Sequence, residues 1–131
     1  MRFIDNNDET ITDTLTGLMW TKDAFAFKTK TWEGAMSGKG SCNIGGHKDW
    51  RLPSVAELFS LIDYGQHRPA LPKDHLFKNV QKSEAYWTST YCVYGTEPGL
   101  EPHAWYVYFH KGTVSYTNKV HEFAVWYVRG N

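Results

Sequence analysis

Residues 1–131 have the length of one ordinary domain, and no linker, low-complexity tract or internal repeat divides them, so we expect a single domain. Lysine plus arginine and aspartate plus glutamate number 14 each, which leaves no net field to attract nucleic acid. No apolar run approaches the roughly 20 residues that span a bilayer, and residues 1–5 lack the pattern of a signal peptide, so membrane insertion is not expected.

Three short segments near the start of the chain have strand character: residues 3–4, 10–12 and 18–20. Polar turns separate them, which predicts an antiparallel beginning. Asn7 and Asp8 lie in the first turn, and with Asp5 and Asp13 they could suggest a calcium loop. The spacing of an EF-hand is absent, so a tight hairpin turn is favoured.

The first of two predicted helices has Thr31 as its N-cap. Trp32, Ala35 and Met36 then share one face, and Gly40 is expected to end the helix.

The second predicted helix begins at a capping box formed by Ser54 and Glu57. Its apolar face, at the spacing i, i+3, i+4 and i+7, consists of Val55, Leu58, Phe59 and Ile62. Before it, Trp50 and Leu52 should face inward while Arg51 faces outward, where an ion pair with Asp49, Glu57 or Asp63 is favoured over an anion ligand.

From residue 86 onward the apolar period changes to two, which predicts strands over residues 86–90, 105–109, 114–117 and 123–128. Strands first, two helices next and an antiparallel sheet last is the order of an α+β fold, with the two helices packed on antiparallel β-sheets. A turn-rich surface loop is predicted over residues 93–102.

The strand pair 105–109 and 114–117 contains the candidate binding surface. The alternate residues of each strand that are assigned to the core are Trp105, Val107, Phe109, Val114 and Tyr116. The opposite face then carries Tyr106, Tyr108, His110, Thr113, Ser115 and Thr117. Trp126, on the neighbouring predicted strand, could extend this face.

Aromatic residues make up 16% of the chain, more than a small core hides, so exposed rings are expected. Rings can cover the C–H faces of sugars while hydroxyls meet sugar hydroxyls, and the same Tyr and Ser chemistry binds proteins. The candidate ligand-binding residues are therefore Tyr106, Tyr108, His110, Ser115, Thr117 and Trp126. The alternative is that they form ordinary cross-strand pairs or lie beneath the 93–102 loop.

Residue spacings give no positive indication of catalysis or of a metal. The six histidines show no His-Glu-x-x-His or i, i+4 pair, and neither Ser89 nor Cys92 lies in a nucleophile motif. We expect no catalytic residue, no metal site and no cofactor. Cys42 and Cys92 could form a disulfide or could be free thiols.

Three groups of motifs occur in a fixed order along the chain: Thr-Gly-Leu-Met-Trp at 16–20, Asp-Trp-Arg-Leu-Pro-Ser at 49–54, and Tyr-Trp-Thr-Ser-Thr at 86–90 with Ala-Trp-Tyr-Val at 104–107. Together they resemble the Lcl C-terminal domain family, a former domain of unknown function named after a bacterial collagen-like adhesin. The resemblance implies a C-type-lectin-like fold and a place in bacterial surface or secreted proteins. For the adhesin it implies binding of sulfated glycosaminoglycans by a trimer, and some similar domains are variable ends of diversity-generating retroelement targets.

The chain departs from the family pattern near both of its usual cysteines. Family members often have one cysteine at the end of the first helix and another near a C-terminal arginine pair, and these places are held here by Lys39 and Tyr127. Trp126 stands where the first arginine of the pair is usual. The resemblance therefore implies that the usual bridge is missing.

From the residues and the resemblance together, we expect a non-enzymatic glycan-binding or adhesion domain of a bacterial or phage surface protein, located outside the cell or on its surface. Two alternatives stay open: a protein-binding variable domain of a retroelement target, and a structural domain that forms a homotrimer as the cap of a fibre.

Overall fold

A computed structural model describes residues 1–92 and 103–130, with only the backbone of Cys92, so the predicted 93–102 loop lies outside the described residues. Nine strands are present in the described ranges: β1 Phe3–Asp5, β2 Thr10–Asp13, β3 Leu18–Thr21, β4 Thr29–Lys30, β5 Ala85–Cys92, β6 His103–Tyr108, β7 Thr113–Asn118, β8 Phe123–Ala124 and β9 Val128–Arg129. The helices are α1 Trp32–Ser37 and α2 Val55–Phe59, and short 3-10 turns cover Gly38–Ser41 and Ile44–Gly46.

The strands form two sheets. One has four strands in the order β1-β2-β3-β9, and the other has five in the order β4-β8-β5-β6-β7. All pairs are antiparallel except β5 with β8, which are parallel where Tyr86 lies beside Ala124. The predicted α+β class is confirmed, and the arrangement agrees with the C-type-lectin-like fold that the resemblance implies.

The C-terminal segment differs from its prediction as one strand over residues 123–128. It forms two short strands, because β8 joins the five-stranded sheet and β9 joins the four-stranded sheet. Between them Val125, Trp126 and Tyr127 are at most 1% exposed. The segment is apolar throughout because it crosses between two sheets and is covered on all sides.

Both faces of the five-stranded sheet are covered by apolar residues. Tyr86 packs in one cluster with Val107, Phe109 and Trp126. Its neighbour Trp87, on the opposite face, packs in a second cluster with partners that include Trp32, Ala104, Val125 and Tyr127. The face predicted to be outward is therefore partly a second core, and only its margin can meet solvent.

Three side chains assigned to the core are more exposed than predicted. Tyr116 is 51% exposed and Trp105 is half-buried, because both lie outside the two buried clusters. Their rings contact each other at 5.0 Å. Phe59 is 44% exposed, since α2 ends there and the ring lies against Tyr64 at 6.1 Å. Val107 and Phe109 are fully buried, as predicted.

The predicted turn and helix caps are confirmed, whereas α1 ends at Ser37 and the predicted last position, Gly40, lies in the 3-10 turn that follows. Asp5 accepts a hydrogen bond from the backbone N–H of Asn7, and Asp8 accepts one from that of Thr10, so these carboxylates stabilise the hairpin turn between β1 and β2. Thr31 caps α1 through the N–H of Gly34.

At the start of α2, Ser54 and Glu57 form the full capping box. Arg51 makes two 2.7 Å hydrogen bonds to the Glu57 carboxylate, which confirms the ion-pair prediction. Burial alone would raise the pKa of Glu57, but its hydrogen bonds with Arg51 and Ser54 lower it on balance.

No helix in the described ranges is long and apolar enough to cross a membrane.

Candidate ligand-binding site

The predicted tyrosines line an open groove on one face of the five-stranded sheet. We call it the tyrosine groove; it has a volume of about 380 Å³ and is lined by Ser83, Glu84, Ala85, Tyr106, Tyr108, Thr113 and Phe123. Tyr106 and Tyr108 are each half-buried, so neither ring is sealed beneath other described segments.

Strand register brings these residues together. Tyr108 lies directly opposite Ala85 on β5 and opposite Thr113 on β7, so the three side chains share one face. Ala85 is only 8% exposed and carries a single methyl group, which leaves space between the rings of β6 and β8. The groove thus exists because a small residue of β5 lies among larger neighbours.

The aromatic walls are held by the second core. Tyr106 contacts Phe123 with ring centroids 5.2 Å apart at 67°. Phe123 in turn packs on Trp87 at 4.6 Å and is stacked on His121 at 5.8 Å. These contacts restrict the rotamers of the rings, so the groove is already shaped before a ligand arrives.

Two predicted hydroxyl residues continue the same face along β7, which is one of the two edge strands of its sheet. Ser115 lies opposite Tyr106, and Thr117 lies opposite Ala104. Both are half-buried, and neither is among the described residues that line the tyrosine groove. The structure therefore places Ser115 and Thr117 beside the groove and on its face.

His110 lies in a different cavity. Its ring stacks on Tyr108 at 5.6 Å, but it lines a hollow of about 460 Å³ that we call the basic cavity. The other lining residues are Tyr64, Gln66, His67, Arg68 and Lys111. The tyrosine groove and the basic cavity thus lie on the two sides of the Tyr108–His110 ring pair.

The basic cavity is organised by Arg68 and His110. The backbone N–H of Arg68 donates to the carbonyl of His110 at 2.9 Å, and its Nε donates to His110 Nε2 at 2.7 Å. The pKa of His110 is lowered by desolvation and by the charges of Arg68, Lys111 and His67, in that order. A neutral imidazole is required for Nε2 to accept this bond, in keeping with the lowered pKa.

Trp126 does not belong to the site. Its side chain is 0% exposed, its indole N–H donates to the carbonyl of Thr21 at 2.8 Å, and its ring contacts Phe77 at 4.7 Å. The prediction was wrong because Trp126 packs with the core on the opposite face of the sheet, whereas Phe123, three residues earlier, supplies the aromatic wall.

Five groove residues were not among the predicted binding residues: Thr113, which was placed on the correct face, and Ser83, Glu84, Ala85 and Phe123, which were missed altogether. Ala85 and Phe123 belong to strands whose neighbours in the sheet are distant in sequence, and the parallel β5–β8 pair had no local signal. The period of two could have placed Ala85 on the face of Trp87, which was the one available clue.

In residues 1–92 and 103–130, no group of three or more His, Cys, Asp or Glu side chains is arranged to hold a metal ion.

The fold and the groove define an α+β domain with one antiparallel sheet, one mixed sheet and an aromatic groove on its surface. Residues 9–129 match the Lcl C-terminal domain, and the chain belongs to that family. This membership, which the sequence motifs suggested, indicates a surface or adhesin-type domain. Comparison with curated proteins gave no match.

Proposed function

We propose that this chain is a glycan-binding adhesion domain that acts at a bacterial or phage surface by binding rather than by catalysis. The observation that carries the proposal is the open groove in which the rings of Tyr106, Tyr108 and Phe123 lie beside the hydroxyl of Thr113. Its volume of about 380 Å³ lies within the usual range for small-ligand sites.

The groove has the two kinds of group that sugar recognition uses. Aromatic rings cover the apolar C–H face of a pyranose, and hydroxyls exchange hydrogen bonds with its equatorial and axial hydroxyl groups. Tyr106 and Tyr108 supply both, since each phenol has a ring and a polar tip. Ser115 and Thr117 lie where a second sugar unit leaving the groove along β7 would pass.

Preorganisation supports binding at this place. Phe123 is held between Trp87 and His121, and Tyr106 leans on Phe123. A ligand would therefore find rings whose rotamer freedom is already reduced, and less of its interaction free energy would be lost to ordering the site.

The test is a glycan array followed by titration calorimetry on neutral and sulfated hits, with Tyr106→Ala and Tyr108→Ala as variants. Each substitution removes a ring from the groove, and we expect affinity to fall about tenfold, the equivalent of about 1–2 kcal/mol per stacked ring. Tyr116→Ala is the matched control, because Tyr116 is exposed on the other face of the same strand pair.

Each variant must remain folded at the temperature of the titration, although Tyr106→Ala should unfold at a lower temperature because its ring packs on Phe123. A null result across neutral and sulfated glycans, or equal losses in Tyr106→Ala and Tyr116→Ala, would contradict the proposal.

A further inference from the structure

We propose that the tyrosine groove receives a positively charged alkylammonium group of the ligand. The inference rests on the proposed function, since it assumes that the groove is the binding site, and it adds the chemical class of the group bound there. Glu84 and three aromatic rings line this groove together.

Among the described residues, no lysine or arginine forms an ion pair with the Glu84 carboxylate. It is half-buried and lines the groove. The ion pairs of the described ranges engage five other carboxylates, those of Asp5, Glu9, Asp13, Asp49 and Glu57. Within those ranges no lysine or arginine lines the groove, so the negative charge of Glu84 is available to a ligand.

The aromatic rings that line the groove with Glu84 also favour a positively charged ligand. The face of an aromatic ring carries the negative part of its quadrupole, and rings that enclose a quaternary or alkylated ammonium are a recurrent binding arrangement. Tyr106 and Phe123 meet at 67°, so they present two differently oriented walls, and Tyr108 lines the groove beside them. Three rings and one carboxylate therefore complement an apolar cation.

The basic cavity differs from the tyrosine groove in the charge of its lining residues. Arg68, His67 and Lys111 line the basic cavity beyond the Tyr108–His110 ring pair. A sulfate or carboxylate group would be attracted there and repelled by Glu84. An alkylated ammonium is also less strongly hydrated than a lysine-like ammonium, so less desolvation opposes its entry into an apolar hollow.

The experiment titrates the chain with choline and with its uncharged isostere 3,3-dimethylbutan-1-ol, following amide and tyrosine ring signals by NMR. The two probes have the same shape, so the ratio of their affinities reports the charge alone. We expect choline to bind at least about threefold more tightly to the unaltered chain. Glu84→Gln should lower this ratio, while the rings that remain keep a smaller preference for choline.

Glu122→Gln is the matched control. Glu122 is exposed, is next to Phe123 in the chain, and does not line the groove. Its substitution changes the net charge of the chain by the same amount as Glu84→Gln. We expect it to leave the affinity ratio unchanged. Glucosamine and N-acetylglucosamine form a second pair that distinguishes an amino sugar from a choline substituent as the source of the ammonium.

Equal affinities for choline and its isostere, an unchanged ratio in Glu84→Gln, or equal effects of both glutamate substitutions would overturn the inference. These failures are distinguishable from failure of the proposed function. If glycans bind and Tyr106→Ala releases them while the choline ratio is one, only the inference fails. If choline is preferred and no glycan binds, the glycan assignment fails while the cation site stands.

Discussion

At the scale of single residues, Tyr127 connects the C-terminal segment to helix α1. Its buried hydroxyl donates to the carbonyl of Ala35 at 2.7 Å, which satisfies one of the free carbonyls at the end of the helix. Burial raises the pKa of Tyr127 to about 12. The resemblance assigns family cysteines to the places of Lys39 and Tyr127, so this hydrogen bond joins the same two regions without a covalent link.

The same region contains Cys42, which is a buried free thiol whose pKa is raised by desolvation. Of the two options left open by the sequence, the free thiol is therefore the one found for Cys42.

Gly38 provides a test of the Tyr127 contact. A Cβ at Gly38 would lie 2.9 Å from the Tyr127 hydroxyl oxygen, although its φ of −73° suits any residue. Alanine has a higher helix propensity than glycine, so propensity alone would stabilise the variant. We expect the clash to outweigh this gain and Gly38→Ala to destabilise the fold by about 1–3 kcal/mol.

Urea unfolding of Gly38→Ala, Tyr127→Phe and the double variant measures the coupling. In Tyr127→Phe the offending oxygen is absent, so adding Gly38→Ala should cost much less there. Gly40→Ala is the control, because nothing lies within 4 Å of its added Cβ. If the free-energy costs of Gly38→Ala and Tyr127→Phe add up in the double variant, the contact between Gly38 and Tyr127 is not the cause of the destabilisation.

At the scale of elements, the hairpin of β1 and β2 is held by a buried ion pair. Asp13 has a fully buried side chain and accepts two 2.8 Å hydrogen bonds from Arg2. Burial by itself would raise the pKa of Asp13, but the hydrogen bonds from Arg2 and from the N–H of Leu15 lower it on balance.

Because the pKa of Asp13 is lower in the folded state than in the unfolded state, its ion pair stabilises the fold more at neutral pH than at acid pH. The stabilisation is complete above the unfolded pKa of about 4 and is lost as pH falls through the lower folded value. We expect Asp13→Asn to be less stable than the parent by about 2–4 kcal/mol at pH 7, with the difference shrinking below about pH 4.

Urea unfolding between pH 2 and pH 7 checks this expectation. Asp49→Asn is the comparison, since Asp49 pairs with Arg129 at a surface position where it is 63% exposed, and a much smaller change is expected. A difference between Asp13→Asn and the parent that stays constant with pH would be evidence against the ion pair.

The groove is also a property of elements, because four strands contribute to it. Ala85 is its small residue, so Ala85→Leu should fill the space between Tyr108 and Phe123 while leaving every ring in place. We expect glycan affinity to fall at least about tenfold with little change in thermal unfolding, as expected when a side chain occupies the volume of the ligand.

Ala85→Ser, which adds no comparable bulk, serves as the control in the same titration. Retained binding in Ala85→Leu would place the ligand elsewhere.

At the scale of the whole molecule, the chain has no net charge, but two adjoining cavities differ in the charge of their lining residues. The net charge is zero, yet the basic cavity gathers Arg68, Lys111 and two histidines, while the tyrosine groove has one carboxylate. A sulfated glycan that lies across both would place its anionic group in the basic cavity.

Lys111→Gln tests this placement. We expect it to weaken sulfated ligands about threefold at low salt and to leave neutral ligands unchanged, since an exposed lysine acts through a screened charge. Lys82→Gln is the control, because Lys82 is exposed and does not line the cavity. The measurement is affinity for matched sulfated and unsulfated glycans at two ionic strengths, and equal losses for both ligands would refute it.

The topology of the whole molecule also joins distant parts of the chain. β9 pairs with β3, and the main chain of Arg51 exchanges two 2.9 Å hydrogen bonds with Val128. These links are long in sequence, and no local pattern predicts them.

The sequence by itself determined the local features: the Asp5–Asp8 turn, the caps at Thr31 and Ser54, an ion pair of Arg51 with a nearby carboxylate, and the alternation in β6 and β7. Each depends on residues within a few positions of one another, so the chain encodes it directly. The ordered motifs also identified the family.

Only the tertiary structure decided which side chains the alternation leaves accessible. A period of two separates two faces without stating that both are covered, so Trp126 could be assigned to the surface although it is fully buried. Phe123, Ala85 and Glu84 enter the groove through strand neighbours that are distant along the chain. The groove is set by packing between these strands, and packing is a property of the folded chain rather than of any one segment.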